Sequence, residues 1–574
     1  MNWWICLILA LALVACGSKE NNTINPQEIA EATDTLSNSD NQQNASRITS
    51  LPSEKVHEVQ QAIQHFIETK EPQEKYQIDN TKLYSSEVLP RTYTENVFSP
   101  LWLSIQQDSL IKVGQMLKFI EEIEFHGLKK EDYHYAAIKK IVATLSQANL
   151  ADAAVIDLAH LDLYLTDAFL LLASHLYNGK YDPESMEIQY GIQRGKPELK
   201  LDHKLFKMLS YDDINEFMPI FYPKTHGYQN MVAKAKLLST KLADDFSISL
   251  PRNYDFSTIQ EDTLVMNKIM NKLVLLDYIK DTNAIAKMDS TAFNNVIKEF
   301  QGYHGLNQDG AIGAHTFEAI NTSIGDRIYQ LYINMERLRW LPEKENEYRV
   351  VVNIADYTMD LLDGRDTLIH MRTIVGRNFR RTPVFDAKMT YLVFSPTWTV
   401  PPGILRNDVL PAVAKDVGYL AKNNMIVLDR SGNRVSPDSI DWQKARTGSF
   451  PYTIRQQPGD NNALGRVKFM FPNRYSVYLH DTPSKNLFER DERLFSSGCI
   501  RIEKPFELAK IVLNDSVAWG EEQIRDAMNR TTERTVVLKR PVNVYIYYLT
   551  AWKGEHFRKD VYGRDESKKH LFFQ

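Results

Sequence analysis

A chain of 574 residues is long enough for three or four folded domains, at a prior of roughly 150 residues for each. Its 43% hydrophobic and 25% charged residues are typical of globular protein. The formal net charge of −5, with no run of Lys and Arg between aromatic residues, excludes the basic surface that nucleic-acid binding requires, so no nucleic acid is expected as a partner.

Residues 1–16, MNWWICLILALALVAC, are typical of an export signal and are too short for a membrane-spanning helix. Their end resembles the lipobox of bacterial lipoproteins, in which the cysteine is acylated and becomes the first mature residue; a plain secretory signal is the alternative. The resemblance implies lipidation of Cys16, and acyl chains contribute about 0.8 kcal/mol per buried methylene to membrane binding. Gly17 then implies an outer-membrane anchor in the periplasm, by the sorting rule of enteric bacteria.

The next part of the chain predicts a tether and then a helical domain. Residues 17–50 are polar without a sustained period, which indicates a flexible tether. Residues 51–261 carry apolar side chains at helical spacing and predict a helical scaffold domain. One run, LTDAFLLLASHLYNG, predicts a helix that ends at Gly179. The histidines of this region are interpreted as surface or hydrogen-bonded helix residues, not as metal ligands.

Residues 262–325 predict a small helical module with tight turns. Gly305, Gly310 and Gly313 allow left-handed turns, and Thr316 is predicted to cap a helix. The words FQ, HGL, DG, IG and T, in this order, resemble the small three-helix peptidoglycan-binding domain that accompanies many wall enzymes. Residues 326–345 predict a linking helix.

After Pro342 the pattern becomes strand-like, and residues 346–550 predict a mostly-β domain. Asp363 and Gly364 are placed as a hairpin turn, and a helix is predicted near Pro505 to Leu513. Residues 401–462 interrupt the strands with a helical pattern and loops, which indicates an inserted lid over a site. Residues 551–574 form a C-terminal tail. The fold class is therefore α+β, with several domains.

Cys499 is the one cysteine beyond residue 16. Cys6 leaves with the signal and Cys16 is predicted to carry lipid, so Cys499 has no partner for an intrachain disulfide. It is either a buried inert residue or a nucleophile. YSVYLH predicts a strand that ends at His480, and SSGCIRI has strand-forming residues just after the thiol. An imidazole near the thiol would favour a thiolate, because a free thiol titrates near 8.5.

Two neighbours of Cys499 strengthen the nucleophile hypothesis. Gly498 lets the backbone approach a substrate, so that the amides of Gly498 and Cys499 are candidates to hold the oxyanion of a tetrahedral intermediate. Arg501 is two residues further along, on the same strand face as Cys499. It is placed either to bind a substrate carboxylate or to hold the loop through a bidentate pair.

The order His, Cys, Arg is shared by sortases and L,D-transpeptidases, and the words HDTP and S-S-G-C-I-R resemble the signature of the L,D-transpeptidase catalytic domain. Ser497 stands where many members of that family have His. LTDAFLLLASHLYNGKYDP, TPVFDAKMTYLVFSPTWTVPPGI and QQPGDNNALGRVKFMFPN resemble the large branch of the family, which has an N-terminal helical scaffold.

The resemblance implies a role for each residue that matches the motif. Cys499 would be the nucleophile and His480 its base, oriented by a backbone carbonyl of Asp481 or Ser496. The implied oxyanion hole comprises Tyr478, Gly498 and Cys499. The implied substrate contacts are Arg501, Trp398, Asn461 and Ser497. Trp398 fits core packing equally well.

The activity that the resemblance implies is peptidoglycan L,D-transpeptidation. The thiolate would attack the carbonyl of the third residue of a tetrapeptide stem, D-Ala would leave, and the thioester would react with a second stem to form a 3-to-3 cross-link. No metal or cofactor is expected, and carbapenems are expected to acylate Cys499. An L,D-carboxypeptidase and a non-enzymatic wall-binding lipoprotein are the alternatives. The non-enzymatic wall-binding lipoprotein is disfavoured because His480, Cys499 and Arg501 are all present.

Overall fold

The computed structural model describes residues 51–69, 76–103, 109–147, 152–187, 189–344 and 346–573. The predicted signal with Cys16 and the predicted tether lie outside these ranges. Within them, no helix combines the length and the apolar character that crossing a membrane requires.

Helices dominate the chain up to residue 344, because apolar residues three or four positions apart form one buried face on each of them. The longest, Val155–Asn178, ends at Gly179 as predicted, and the Gly179 amide donates to the His175 carbonyl. In chain order the helices are α1 Ser53–Glu68, α2 Leu89–Glu95, α3 Ser109–Glu122, α4 Tyr135–Gln147, α5 Val155–Asn178, α6 Pro183–Met186, α7 Leu201–Leu209, α8 Ile214–Phe217 and α9 Tyr228–Thr240. A short hairpin pairs β1 (Gln77–Ile78) with β2 (Thr81–Lys82).

Three of the scattered histidines have hydrogen-bond partners, as predicted. His134 is buried and bonds the carboxylate of Asp167 at 2.6 Å. His126 bonds the hydroxyl of Tyr228, and the Nδ1 of His175 bonds the hydroxyl of Tyr133. These contacts hold loops against helices and give the histidines a structural role.

A second helical group follows, in the order α10 Thr263–Leu275, α11 Thr282–Ile285, α12 Ser290–Tyr303 and α13 Ala314–Asn321. The prediction that Thr316 caps a helix is wrong. Helix α13 begins two residues earlier, at Ala314, with Gly313 as its N-cap and a φ of −81°. Thr316 is therefore inside the helix, where its buried hydroxyl accepts a hydrogen bond from Gln301.

Helix α14 (Ile324–Trp340) connects the helical part of the chain to the β domain and is buried along most of its length. Its Arg337 pairs with Glu187 at 2.8 Å and with Asp565 at 2.7 Å, and all three side chains are buried. Removing one member of such a buried ion pair costs roughly 3–5 kcal/mol, because the other charge is left uncompensated. The helix thus fixes the scaffold and the C-terminal segment relative to each other.

Eight strands of the β domain close into a ring. They are β4 Tyr348–Asn353, β5 Thr358–Asp363, β6 Asp366–Gly376, β7 Val384–Phe394, β12 Val467–Met470, β13 Leu479–His480, β15 Ile500–Ile502 and β16 Arg534–Tyr547. Their order is β12-β13-β15-β6-β5-β4-β16-β7, and the ring closes because β7 pairs with both β16 and β12. The predicted hairpin at Asp363 and Gly364 joins β5 to β6. Outside the ring, β3 (Tyr190–Gly191) pairs with β7 and β14 (Leu494–Ser496) pairs with β6.

The C-terminal part contains α19 (Pro505–Leu513), which matches the predicted helix, and α20 (Glu521–Met528). The residues RTVVLKRPVNVYIY form one strand, β16, whose register shifts between Val537 and Val542. This shift spans Pro541, which cannot donate to a ladder and is tolerated at such bulges. The final elements are β17 Ala551–Trp552, β18 His556–Phe557 and α21 Lys569–Phe573.

The predicted lid is a small subdomain with a hydrophobic core of its own, built around Val413, Trp442 and Ile454. Its strands are β8 Trp398–Thr399, β9 Met425–Leu428, β10 Arg434–Val435 and β11 Thr453–Gln456. They form one sheet in the order β10-β9-β11-β8. The helices are α15 Pro402–Ile404, α16 Leu410–Lys415, α17 Gly418–Lys422 and α18 Trp442–Thr447, with a π-helical turn at Leu405–Val409.

Candidate active site

Tyr478, His480, Cys499 and Arg501 lie on one face of two neighbouring strand segments. β13 and β15 run parallel, with His480 opposite Arg501. Tyr478 and Cys499 come just before these strands, and the Ile500 amide donates to the Tyr478 carbonyl at 3.1 Å, which extends the pairing. Side chains alternate along extended backbone, so Tyr478 and Cys499 lie on the face of His480 and Arg501, and the Tyr478 and His480 ring centroids are 5.7 Å apart. The aliphatic residue between each pair is fully buried on the opposite face. The four side chains therefore form a compact group, called the four-residue patch below.

The backbone before Cys499 is held by the loop of residues 376–382, GRNFRRT, called the arginine loop below. Thr382, fully buried, donates its hydroxyl hydrogen to the Gly498 carbonyl at 2.9 Å. Tyr562, in the C-terminal segment, donates to the Gly376 carbonyl at 2.6 Å and accepts from the Thr382 amide. Gly498 has a φ of 113°, a conformation that strains any L side chain.

The orientation of this backbone leaves one amide available for an oxyanion. In a planar trans peptide the N–H points away from the C=O, so the bond from Thr382 directs the Cys499 N–H to the opposite side. No residue in the described ranges bonds that N–H. The Gly498 amide, by contrast, donates to the Ser496 hydroxyl at 3.1 Å. In this structure Gly498 contributes its backbone conformation, while its N–H is already occupied.

His480 is held as the tautomer that a base requires. Its Nδ1 lies 2.6 Å from the Asp481 carbonyl, and a carbonyl can only accept, so the proton is on Nδ1 and the lone pair is on Nε2. The Asp481 carboxylate accepts from the Arg466 and Thr482 amides, which fixes the carbonyl in place. Of the two predicted orienting carbonyls, that of Asp481 contacts His480, and that of Ser496 accepts from the Arg377 amide.

Comparison with known proteins identifies the domain that carries this patch. Residues 347–544 match the family model of YkuD, described as the L,D-transpeptidase catalytic domain. The C-terminal half of the chain carries an L,D-transpeptidase catalytic domain. Residues 87–234 match the model described as a scaffold domain, so the predicted combination of a helical scaffold with a mostly-β L,D-transpeptidase domain is confirmed. The assignment of residues 262–325 as a peptidoglycan-binding domain stays a prediction.

A curated relative agrees with this identification. The Haemophilus influenzae protein named "Putative L,D-transpeptidase" is 39% identical over 252 residues, which cover 43% of this chain and 50% of that protein. The chain thus spans about half the length of the curated relative that it matches.

The pKa values of His480 and Cys499 are both strongly shifted. Burial, followed by the positive charge of Arg501, lowers the pKa of His480 to about 3. Burial raises the pKa of Cys499 to about 11, although hydrogen bonds from Tyr478 and the charge of Arg501 act in the opposite direction. At neutral pH the pair is therefore an uncharged thiol beside an uncharged imidazole. Attack on a substrate would have to proceed with proton transfer to His480.

Tyr478 can complete an oxyanion site together with the Cys499 amide. Burial, and then the adjacent Cys499 thiolate, raises the pKa of Tyr478 above its usual range, so the phenol keeps its proton. The phenol also donates to the Cys499 sulfur, which in turn donates from its thiol to the Ser476 carbonyl at 3.7 Å. Tyr478 is therefore a hydrogen-bond donor beside the Cys499 thiol.

The other predicted substrate contacts are Ser497, Trp398 and Asn461, and each has partners outside the four-residue patch. The Ser497 hydroxyl accepts from Arg380, which also pairs with Asp408 of the lid at 3.0 Å. Trp398 is on β8 and packs, half-buried, against the lid core. Asn461 is exposed, and its carbonyl accepts from Gln456. In the described part of the chain, no hydrogen bond or ring contact joins Trp398 or Asn461 to the four-residue patch.

Several supporting residues were missed at the sequence level, namely Arg377, Arg380, Thr382, Asn462, Ser476 and Tyr562. The clearest is Asn462, whose buried amide donates to the Pro396 carbonyl before β8 and to the Gln457 carbonyl after β11. One side chain thus joins the two connections of the lid. The sequence GDNN, residues 459–462, indicates a turn at Asn462. Nothing in the local sequence indicates that the Asn462 side chain bonds the Pro396 carbonyl.

One group in the described ranges has the spacing of a cation site, namely Glu95, Asp202 and His203, whose ligand atoms lie within 4.8 Å of one another. The group belongs to the helical scaffold. Asp202 already pairs with Arg91 at 2.6 Å, which neutralises its charge. We assign no metal to it.

The neutral thiol gives a testable pH dependence. We expect alkylation of Cys499 by iodoacetamide to be slow at pH 7 and to accelerate roughly tenfold per pH unit up to about pH 10, because the thiolate fraction rises in that proportion below the thiol pKa. Labelling is measured by peptide mass spectrometry, with Cys499→Ala as the background. A rate that is constant from pH 6 to pH 9 would indicate a preformed thiolate and imidazolium pair and would contradict this electrostatic description.

Proposed function

We propose that the protein is a peptidoglycan L,D-transpeptidase that forms 3-to-3 cross-links through a thioester on Cys499. The family of the catalytic domain supports the general activity. The observation that carries the proposal is the four-residue patch, which has a thiol, an unprotonated imidazole nitrogen, a phenol donor and a guanidinium on one face. This set supplies a nucleophile, a base, an oxyanion donor and a carboxylate-binding charge.

The first half of the reaction is acylation. The Cys499 sulfur bonds to the carbonyl carbon of the third stem residue while the thiol proton moves to His480 Nε2. The Cys499 amide and the Tyr478 hydroxyl stabilise the oxyanion. The carbon–nitrogen bond to D-Ala then breaks, and the departing amine takes the proton from His480.

The second half transfers the acyl group. The side-chain amine of a diamino acid on another stem attacks the thioester and loses a proton to His480. The carbon–sulfur bond breaks and the proton returns to Cys499 as the thiol reforms. Water in place of the amine would release a tripeptide, which is the outcome of a carboxypeptidase.

The products of the purified protein test this proposal. We expect incubation with tetrapeptide-containing wall material, followed by muramidase digestion and mass spectrometry, to show 3-to-3 dimers together with free D-Ala. Free D-Ala and tripeptide without dimers would indicate the carboxypeptidase. Neither product would support the wall-binding alternative and reject both enzymatic functions.

We further propose that the protein is a periplasmic lipoprotein anchored through Cys16 in the outer membrane. The lipobox-like end of residues 1–16 and Gly17 support this location. The described residues begin after a predicted tether, which would let the catalytic domain reach wall stems at a distance from the membrane.

A further inference from the structure

Two arginine side chains beside Cys499 have no acidic partner. Arg501 belongs to the four-residue patch, and its buried Nε has no hydrogen-bond partner. Arg377 is the first residue after β6. Its amide donates to the Ser496 carbonyl at 3.0 Å, so Arg377 borders the segment of residues 496–499 that ends at Cys499. In the described part of the chain, neither guanidinium forms an ion pair.

This arrangement is unfavourable without a ligand. Arg501 lies opposite Ile374 of β6, three residues before the exposed Arg377, so the two arginines belong to neighbouring parts of the sheet. Burial and the like charge of Arg377 both lower the pKa of Arg501. The half-buried guanidinium of Arg501, which among the described residues lacks both a carboxylate and a partner for its Nε, loses solvation without compensation. Other arginines nearby are paired, since Arg372 bonds Glu503 and Glu489, and Arg380 bonds Asp408. Within the described ranges, Arg381 of the arginine loop has no acidic partner either, but its Nε donates to the Asn378 carbonyl, whereas the buried Nε of Arg501 has no hydrogen-bond partner.

We propose that Arg377 and Arg501 together bind the C-terminal carboxylate of the donor stem, which is the carboxylate of the departing D-Ala. This inference rests on the proposed function and names the substrate group that the site recognises. The next backbone carbonyl carbon lies roughly 3.5 Å beyond the attacked one in an extended peptide. Arg501 is two residues beyond Cys499 on the same face, so the two Cα atoms are about 6.6 Å apart along the strand. The long Arg501 side chain can therefore reach a carboxylate that lies just beyond the attacked carbonyl.

The position of the pair determines which stems react. A carboxylate one residue beyond the attacked carbonyl exists only when a single residue follows the scissile bond. Two guanidinium groups can hold both carboxylate oxygens by charge-assisted hydrogen bonds. A stem that continues further, or ends in an amide, leaves both charges unpaired and is rejected. The pair thus accounts for a preference for tetrapeptide donors.

Binding to the full-length Cys499→Ala protein tests the proposal without turnover. The probes are three synthetic tetrapeptide stems: one with a free D-Ala carboxylate, one with a C-terminal carboxamide, and one with an amide on the side-chain carboxylate of the diamino acid. We expect the C-terminal amide to weaken binding about tenfold or more, and the side-chain amide to change it less than threefold. Isothermal calorimetry gives the dissociation constants.

The arginine variant completes the test. In Cys499→Ala with Arg377→Gln, we expect the acid and the C-terminal amide to bind within about twofold of each other, because half of the charge is gone. Arg434→Gln, an exposed change of the same charge on β10 of the lid, should retain the full preference.

Four outcomes would overturn the proposal: no preference in the parent protein, a preference that survives Arg377→Gln, a preference that follows the side-chain amide, or no binding of the acid at millimolar concentration. Acid-selective binding without cross-linked product from the wild-type protein would reject the proposed function and leave the carboxylate site standing.

Discussion

Replacing Cys499 with serine is expected to abolish turnover while the fold stays intact. The neutral His480 can accept a thiol proton during attack, whereas a serine hydroxyl is far less acidic and the site offers it no second base. The loss should be on the order of 10³-fold or more in the rate of D-Ala release. The same variant should gain no mass from a carbapenem, because the acylated sulfur is missing.

The fold should not respond to this change. The thiol donates one long hydrogen bond, to the Ser476 carbonyl, and accepts from Tyr478, and a hydroxyl can make both bonds, so the midpoint of thermal unfolding should move by less than about 2 °C. Cys16→Ser, the same substitution at the cysteine predicted to carry lipid, serves as the control and should retain full turnover in detergent. Turnover by Cys499→Ser at a wild-type rate would remove Cys499 from the mechanism.

The strands that hold the candidate nucleophile and base were predictable because their signals are local. YSVYLH and CIRI alternate in the way that half-buried strands do, although only Leu479–His480 of the first run forms a strand, and Cys499 stood out as a lone thiol. The register was not predictable. That His480 lies opposite Arg501 depends on a parallel pairing across a loop, and a shift by one residue would have turned the candidates to opposite faces.

The supporting contacts escaped prediction because they join distant parts of the chain. Thr382, the last residue of the arginine loop, bonds the Gly498 carbonyl, and Tyr562 bonds the Gly376 carbonyl from the C-terminal segment, which was predicted to be a tail. The capping error at Thr316 has a similar origin, since burial against Gln301 decided the role of a residue whose type favours caps. Residue type gave the chemistry of the site, and tertiary pairing decided which residues take part.

The lid was predictable as an insertion and unpredictable as a subdomain. Its helical pattern between two strands was visible in the sequence. Its separate core around Trp442 and its connection through Asn462 depend on contacts between residues far apart in the chain. The separate core makes the lid a structural unit of its own, and the ion pair between Arg380 and Asp408 links it to the arginine loop.

Replacing residues 401–452 with a short Gly/Ser loop is expected to leave a folded protein that hydrolyses more of its acyl-enzyme. The cut keeps β8, β11 and Asn462, and the lid core is separate from the main core, so the ring of strands is not disturbed. A thioester beside open solvent meets water more often than an amine acceptor. We expect the ratio of cross-linked dimer to released tripeptide to fall about tenfold, measured by chromatography of the products.

A milder variant separates lid position from lid presence. Asp408→Asn removes the charge that pairs with Arg380 and keeps every core residue of the lid, so the dimer-to-tripeptide ratio should fall only about twofold to threefold, in line with the small free energy of a partly exposed ion pair. Asp438→Asn, an exposed acid of the lid outside that contact, is the matched control and should leave the ratio unchanged. If the excision leaves both the ratio and the rate unchanged, water exclusion does not depend on the lid. Control of the acceptor would then belong to the ring of strands and the arginine loop, which are the same in all three variants.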